Sequence, residues 1–126
     1  MVQPLSGRRK IESRQLEELR TLLAELIPAN QFYARKLQNC SVTFDVASLR
    51  DFSARFPFTS KPELAKDQRQ HPPFGTNLTY PLNRYTRFHQ TSGTSGTPLR
   101  WLDTPESWDA MIESWMEVFR AAVGSY

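Results

Sequence analysis

Cysteine is nearly absent from this chain. Cys40 stands alone among 126 residues, so no disulfide can close within it and no multi-cysteine metal site can form. Histidine is almost as scarce. His71 and His89, even taken with Cys40, lack the spacing of zinc ligands. No apolar run approaches the roughly 20 residues of a membrane span, and the N-terminus lacks the continuous apolar core of a secretory signal. The glycosylation pattern Asn77-Leu78-Thr79 is therefore read as chance, and a cytoplasmic chain with no membrane partner is expected. Charge of one sign is also short, with a net of only +3. The basic residues cluster only at Arg8-Arg9-Lys10, whereas 103–117 carries acids alone: Asp103, Glu106, Asp109, Glu113 and Glu117. A nucleic-acid binder needs a basic stripe with interleaved aromatics, and none is visible, so no nucleic-acid partner is expected.

What the chain does have is enough apolar and aromatic bulk for a core: 39% hydrophobic residues, with three Trp, four Tyr and eight Phe. Leu16, Leu19, Leu22, Leu23 and Leu26 recur at helical steps and predict an amphipathic helix over about 13–27, which Ser13 can cap and Pro28 stops or kinks. Asn30 caps a second piece, 31–39, that buries Phe32, Tyr33 and Leu37. A short helix is expected over 46–52, then an extended Phe56-Pro57-Phe58-Thr59. Ser60-Lys61-Pro62-Glu63 has the capping-box pattern ahead of a helix through Arg69, which His71-Pro72-Pro73-Phe74-Gly75 cannot continue. Thr104-Pro105 opens the clearest helix, with Trp108, Met111, Ile112, Trp115, Met116 and Phe119 on one stripe and Gly124 as its stop.

Residues 91–98, Thr91-Ser92-Gly93-Thr94-Ser95-Gly96-Thr97-Pro98, are the most informative stretch. Short strand-like runs flank them, Tyr85–His89 before and Leu99–Leu102 after. The glycines permit positive φ and close approach of backbone to a ligand, and the hydroxyls add donors beside the backbone N–H groups. A concave array of such donors suits a polyphosphate. It is not the common P-loop, because no Gly-Lys-Ser/Thr follows at the required spacing. A polar hairpin loop or flexible linker is the plainer reading of the same composition. The expected fold is α+β, mostly helical, with a small β-hairpin over 84–102 carrying the loop.

The stretch resembles the Ser/Thr/Gly-rich phosphate loop of adenylate-forming enzymes, written [ST]-S-G-[ST]-[ST]-G-x-P. In order and approximate spacing the chain is similar to the phenylacetate–CoA ligase-like branch over about 14–123. The resemblance rests on Phe32-Tyr33, on Pro57-Phe58-Thr59-Ser60-Lys61 through Leu64, on Pro73-Phe74-Gly75, on Arg87-Phe88-His89, on the loop, and on Trp108 or Trp115 in the following helix. Many members have lysine where this chain has Thr97; Arg100 is close enough in sequence to supply a charge instead. The resemblance implies an ATP-dependent ligase that makes an acyl-adenylate and then an acyl-CoA thioester, with Thr91, Ser92, Gly93, Thr94, Ser95, Gly96 and Thr97 holding the nucleotide phosphates. ATP, Mg²⁺ and coenzyme A are the implied cofactors and a small carboxylic acid the implied substrate. Lys61 matches a family position but also suits a helix start, and no residue here is assigned a catalytic role. Complete members are several times longer. The expectation is therefore a flexible lead over 1–12 and the first part of an AMP-binding domain over 13–126, truncated at its C-terminus and inactive alone. A non-catalytic nucleotide- or anion-binding fragment, and a helical interaction module using 104–122, remain open alternatives.

Overall fold

A computed structural model describes residues 4–38, 40, 43, 45–93 and 96–124. The α+β expectation holds: helices dominate, with one two-stranded antiparallel sheet. The chain divides into two compact units, Met1–Thr79 and Tyr80–Tyr126.

The first unit holds α1 (Pro4–Ala29), α2 (Gln31–Leu37), α3 (Leu49–Arg55) and α4 (Lys61–Gln70). Helix α1 starts well before Ser13, which lies inside it rather than capping it. Proline is well suited to the first helical position, and the i,i+4 pairs Arg8–Glu12 and Arg14–Glu18 support the early turns. The basic cluster read as a flexible lead is thereby drawn into the helix. Pro28 falls within the last turn, one residue before the helix ends. Of the leucine stripe, Leu23 is buried, Leu16, Leu19 and Leu26 are half-buried, and Leu22 is exposed.

Asn30 then turns the chain. Its side chain accepts from the Tyr33 N–H at 3.1 Å, while its amide nitrogen donates to Asn77 Oδ1 and Thr79 Oγ1. The cap of α2 is thus also a tie to a segment far along the chain. Helix α3 begins at Leu49, later than expected, because Ser48 caps it and Val46 is taken up elsewhere. Val46 is buried in the core, and the Arg20 guanidinium donates twice to its carbonyl, at 3.0 and 2.7 Å. Leu23, Phe32, Leu37, Val46 and Leu64 form this core, edged by Tyr33, Phe52 and Phe56 in ring contact.

Helix α4 opens with the expected capping box, the Glu63 carboxylate accepting from the Ser60 N–H at 2.7 Å. Beyond its end Gly75 has φ +80°, and a Cβ there would collide with Asp67. That room lets the buried Asp67 carboxylate accept from the Thr76 N–H and hydroxyl, both at 2.6 Å, and from Arg35 at 3.0 Å. A buried charge so paired organises the chain around it.

The second unit holds a single 3-10 turn (Leu82–Arg84), β1 (Arg87–Gln90), β2 (Arg100–Asp103) and α5 (Pro105–Val123). The strands pair Arg87 with Asp103, Phe88 with Leu102, His89 with Trp101 and Gln90 with Arg100. Thr104 caps α5 by accepting from the Ser107 N–H at 3.2 Å, Pro105 takes the first helical position, and the Gly124 N–H closes the last turn on Arg120 O. Among the described residues no helix is long and apolar enough to cross a membrane.

Candidate functional site

The hairpin holds the glycine- and hydroxyl-rich stretch at both ends. At its base the Thr91 N–H donates to Leu99 O and the Leu99 N–H donates to Thr91 Oγ1, each at 2.9 Å. Thr91 thus closes the loop with an oxygen lone pair, which leaves its O–H as a donor. Leu99 itself is buried. Gly93 has φ +68° and Gly96 φ +134°, and the Gly96 N–H reaches Gly93 O at 3.1 Å. A Cβ on Gly93 would stand 2.7 Å from Pro98 Cγ and 2.9 Å from Gly96 O. Both glycines are therefore required by the turn, and the Pro98 ring packs against its inner side.

Ser92, Gly96 and Thr97 are exposed and Gly93 is half-buried. Thr94 and Ser95, also assigned to the site, lie outside the described residues. Arg100 is exposed at the start of β2, opposite Gln90. Lys61 is the first residue of α4, in the first unit, where a helix-start role suffices.

Directly ahead of the loop is a cluster that the sequence did not reveal. Strand alternation puts Arg87 and His89 on one face of the hairpin with Asp103 and Trp101 opposite them. The His89 ring stacks on Trp108 with centroids 5.2 Å apart and planes 10° apart, and the Arg87 guanidinium lies 4.4 Å from the same indole. His89 Nε2 is 3.3 Å from Asp103 Oδ2, yet it is a buried atom without a hydrogen bond of acceptable geometry. The available signal was the two-residue step from Arg87 to His89, together with a tryptophan in the first turns after the Thr104 cap. In that first turn the Glu106 carboxyl is held below its ordinary range, chiefly by a bond from its own backbone N–H and by the Thr104 hydroxyl, with help from Arg84.

The first unit carries a shallow groove of about 290 Å³ lined by Phe32, Arg35, Lys36, Glu63, Lys66, Asp67 and Gln70. Arg35 is paired with Asp67 and Lys36 with Glu63, so most of its charge is internally balanced and serves packing. Among the described residues no cluster of three or more His, Cys, Asp or Glu could hold a metal ion.

No protein-family model matches the chain. Over 93 residues, 72% of its length, it is 36% identical to the phenylacetate-coenzyme A ligase of Thermus thermophilus. Among solved structures, 2-hydroxyisobutyryl-CoA ligase with 2-HIB-AMP in its postadenylation state aligns over 84% of this chain with a TM-score of 0.73 and 27% identity. The same ligase with 2-HIB-AMP and CoA in its thioesterification state gives 0.74 and 29% over the same share. By sequence and by fold the chain is a relative of the CoA ligases. It spans 19% of the curated ligase and 22% of the solved one.

Proposed function

We propose that residues 91–98 bind the phosphates of ATP, and that the chain serves as the nucleotide-loop portion of a carboxylate-activating ligase acting in the cytoplasm. In that reaction ATP converts a carboxylate into an acyl-adenylate with release of pyrophosphate, and the thiol of coenzyme A displaces AMP to give a thioester. A small aryl or alkyl acid, phenylacetate among them, is the substrate class in view. One observation carries this reading. The turn between β1 and β2 is built on two positive-φ glycines with exposed Ser92 and Thr97 around it, in a chain whose relatives are CoA ligases. A flexible linker needs neither the latch at Thr91 nor the packing of Pro98 against Gly93. The physical task of such a loop is to hold donors ready for charge that grows on the leaving pyrophosphate. Thr91, Ser92, Gly93 and Thr97 carry such donors, with Thr94 and Ser95 completing the set, and Gly96, whose N–H reaches Gly93 O, shapes the turn. Mg²⁺ is implied by the family resemblance alone and enters no step here.

The test is titration calorimetry of the 126-residue chain with ATP and with inorganic tripolyphosphate. Thr97→Lys places a cation beside the phosphates and should tighten binding by about 0.5–1 kcal/mol, less at high salt. Arg100→Ala should enlarge that gain if Arg100 already supplies a charge. A wild type blind to both ligands, or a Thr97→Lys variant unchanged in either background, would reject the phosphate-facing role. The chain alone is expected to form no thioester from phenylacetate, ATP and coenzyme A, as followed by thiol consumption.

A further inference from the structure

Trp108 is the residue of the α5 stripe that finds cover. Met111, Ile112, Trp115, Met116 and Phe119 are exposed, whereas Trp108 is half-buried. What covers it is β1. The Arg87 guanidinium lies 4.4 Å from the indole, and the His89 ring stacks on it with planes 10° apart. Arg87 and His89 share a face of the hairpin with Thr91, the next residue in the strand alternation. His89 Nε2 makes no hydrogen bond, so the ring is oriented through its face. On the helix side the indole is fixed by the start of α5. Thr104 is buried and accepts from the Ser107 N–H, and the Ser107 hydroxyl donates to Asp103 at 3.0 Å. The helix thus begins directly at the end of β2 and returns to β1 through Trp108. Two strands alone are marginal in water and need a packed face to hold together. Among the described residues this sheet has no third strand.

We infer that Trp108 is a positioning residue for the loop: its indole holds β1 against the start of α5 and so sets the turn that begins just beyond His89. The inference rests on the reading of 91–98 as a phosphate site for its consequence in affinity, whereas the effect on the turn does not need that reading. The base of the loop is the latch between Thr91 and Leu99, two hydrogen bonds each at 2.9 Å. The latch keeps its aim only while β1 and β2 keep their register at the last pair, Gln90 and Arg100. Both of those residues are exposed, so that pair has little cover of its own. The grip on β1 comes one residue earlier, at the His89 stack. A flat imidazole on a flat indole, with a guanidinium over the same ring system, combines dispersion with cation–π attraction. Neither contact needs a change of charge on His89. Donors held in place before a ligand arrives bind it without an ordering cost. Loosening at Trp108 therefore reaches the phosphates as lost affinity.

The measurement is amide hydrogen exchange at Thr91 and Leu99 in the whole chain at a single pH, with the α5 amides of residues 112–119 as internal reference. Trp108→Leu keeps an apolar side chain but removes the ring face. It should lower protection at Thr91 and Leu99 by about three- to tenfold, the range an aromatic pair supports. Trp108→Phe keeps a flat ring and should restore most of that protection. The reference amides should stay as in wild type in both variants. His89→Leu removes the same stack from the strand side and should loosen the latch by a similar factor. In the double variant the losses should not add, because both act through one contact. Should Trp108→Leu not fold, His89→Leu alone decides, since it leaves the helix intact. Additive losses, a latch as protected without the stack as with it, or equal loosening of latch and reference amides would overturn the inference. Calorimetry with inorganic tripolyphosphate reads the consequence. Affinity should fall by the same factor in Trp108→Leu and recover in Trp108→Phe. A latch that responds to Trp108 in a wild type that binds no tripolyphosphate would reject the phosphate site and keep the positioning role. Tripolyphosphate binding of equal strength in wild type and Trp108→Leu would do the reverse.

Discussion

Gly93 shows how much of a site can depend on the absence of a side chain. Its φ of +68° disfavours any L-residue, and a methyl group there would press on Pro98 and on the Gly96 carbonyl. Gly93→Ala should therefore cost the second unit about 2–4 kcal/mol, combining left-handed strain with overpacking. Gly96→Ala carries the strain of φ +134° but meets nothing within 4 Å, so it should cost less. Thermal melts followed by tryptophan fluorescence would rank the two, and equal losses would contradict the packing around Pro98. The pattern of Thr, Ser and Gly was enough to mark this turn as special, because only such residues allow positive φ beside exposed hydroxyls. It could not divide the labour within it. A threonine at the first loop position can be ligand donor and latch at once, since its Oγ1 accepts from the Leu99 N–H at 2.9 Å while its O–H can donate. His89 was legible as a strand residue, but its partner Asp103 comes from the other strand, and pairing across a hairpin depends on a register that local sequence does not state.

At the scale of elements, starts were more legible than lengths. Asn30, Ser60 and Thr104 each cap the helix expected of them, because a side-chain oxygen beside an apolar run has one effective use there. Ser13 misled, since a serine followed by an apolar stripe reads as a cap unless earlier turns have support of their own; here Arg8–Glu12 and a leading proline supplied it. The capping box of α4 also carries a pH signature. The Glu63 carboxyl is lowered from 4.5 to about 2, first by the Lys36 ammonium and then by the Ser60 N–H and hydroxyl. A folded-state value below the unfolded one gives stability that is present above about 4.5 and lost as pH falls toward about 2. Acid titration of helicity by circular dichroism should thus show a loss in that window for wild type. Glu63→Gln should already be weaker at neutral pH and should lack this component of the acid loss. A variant with the wild-type profile would remove Glu63 from the account. The apolar stripe of α5 was read correctly as one face, yet Trp115 is 66% exposed and Phe119 60%. Periodicity identifies a face that avoids water without saying what meets it.

At the scale of the molecule, the division at Thr79 and Tyr80 has a direct experimental consequence. Every tryptophan, Trp101, Trp108 and Trp115, lies in the second unit, whereas four of the five α-helices among the described residues lie in the first. Indole fluorescence therefore reports the hairpin and α5, and far-ultraviolet dichroism is weighted toward α1–α4. The keystone of the first unit is Asn30, which is 2% exposed and bonds to Tyr33, Asn77 and Thr79 at once. Asn30→Ala removes a cap and the bonds to half-buried Asn77 and Thr79, a loss of about 1–3 kcal/mol. That loss should move the dichroism transition in urea to lower concentration and leave the fluorescence transition in place. Thr104→Ala, which removes the α5 cap at a cost of about 1 kcal/mol, should do the opposite. Independent shifts would establish two cooperative units, each with its own stability, and would make the loop's integrity a property of the second unit alone. Coincident transitions that move together in both variants would show instead that the chain unfolds as one two-state body. The Asp67 and Asn30 networks would then support the loop as much as the first core.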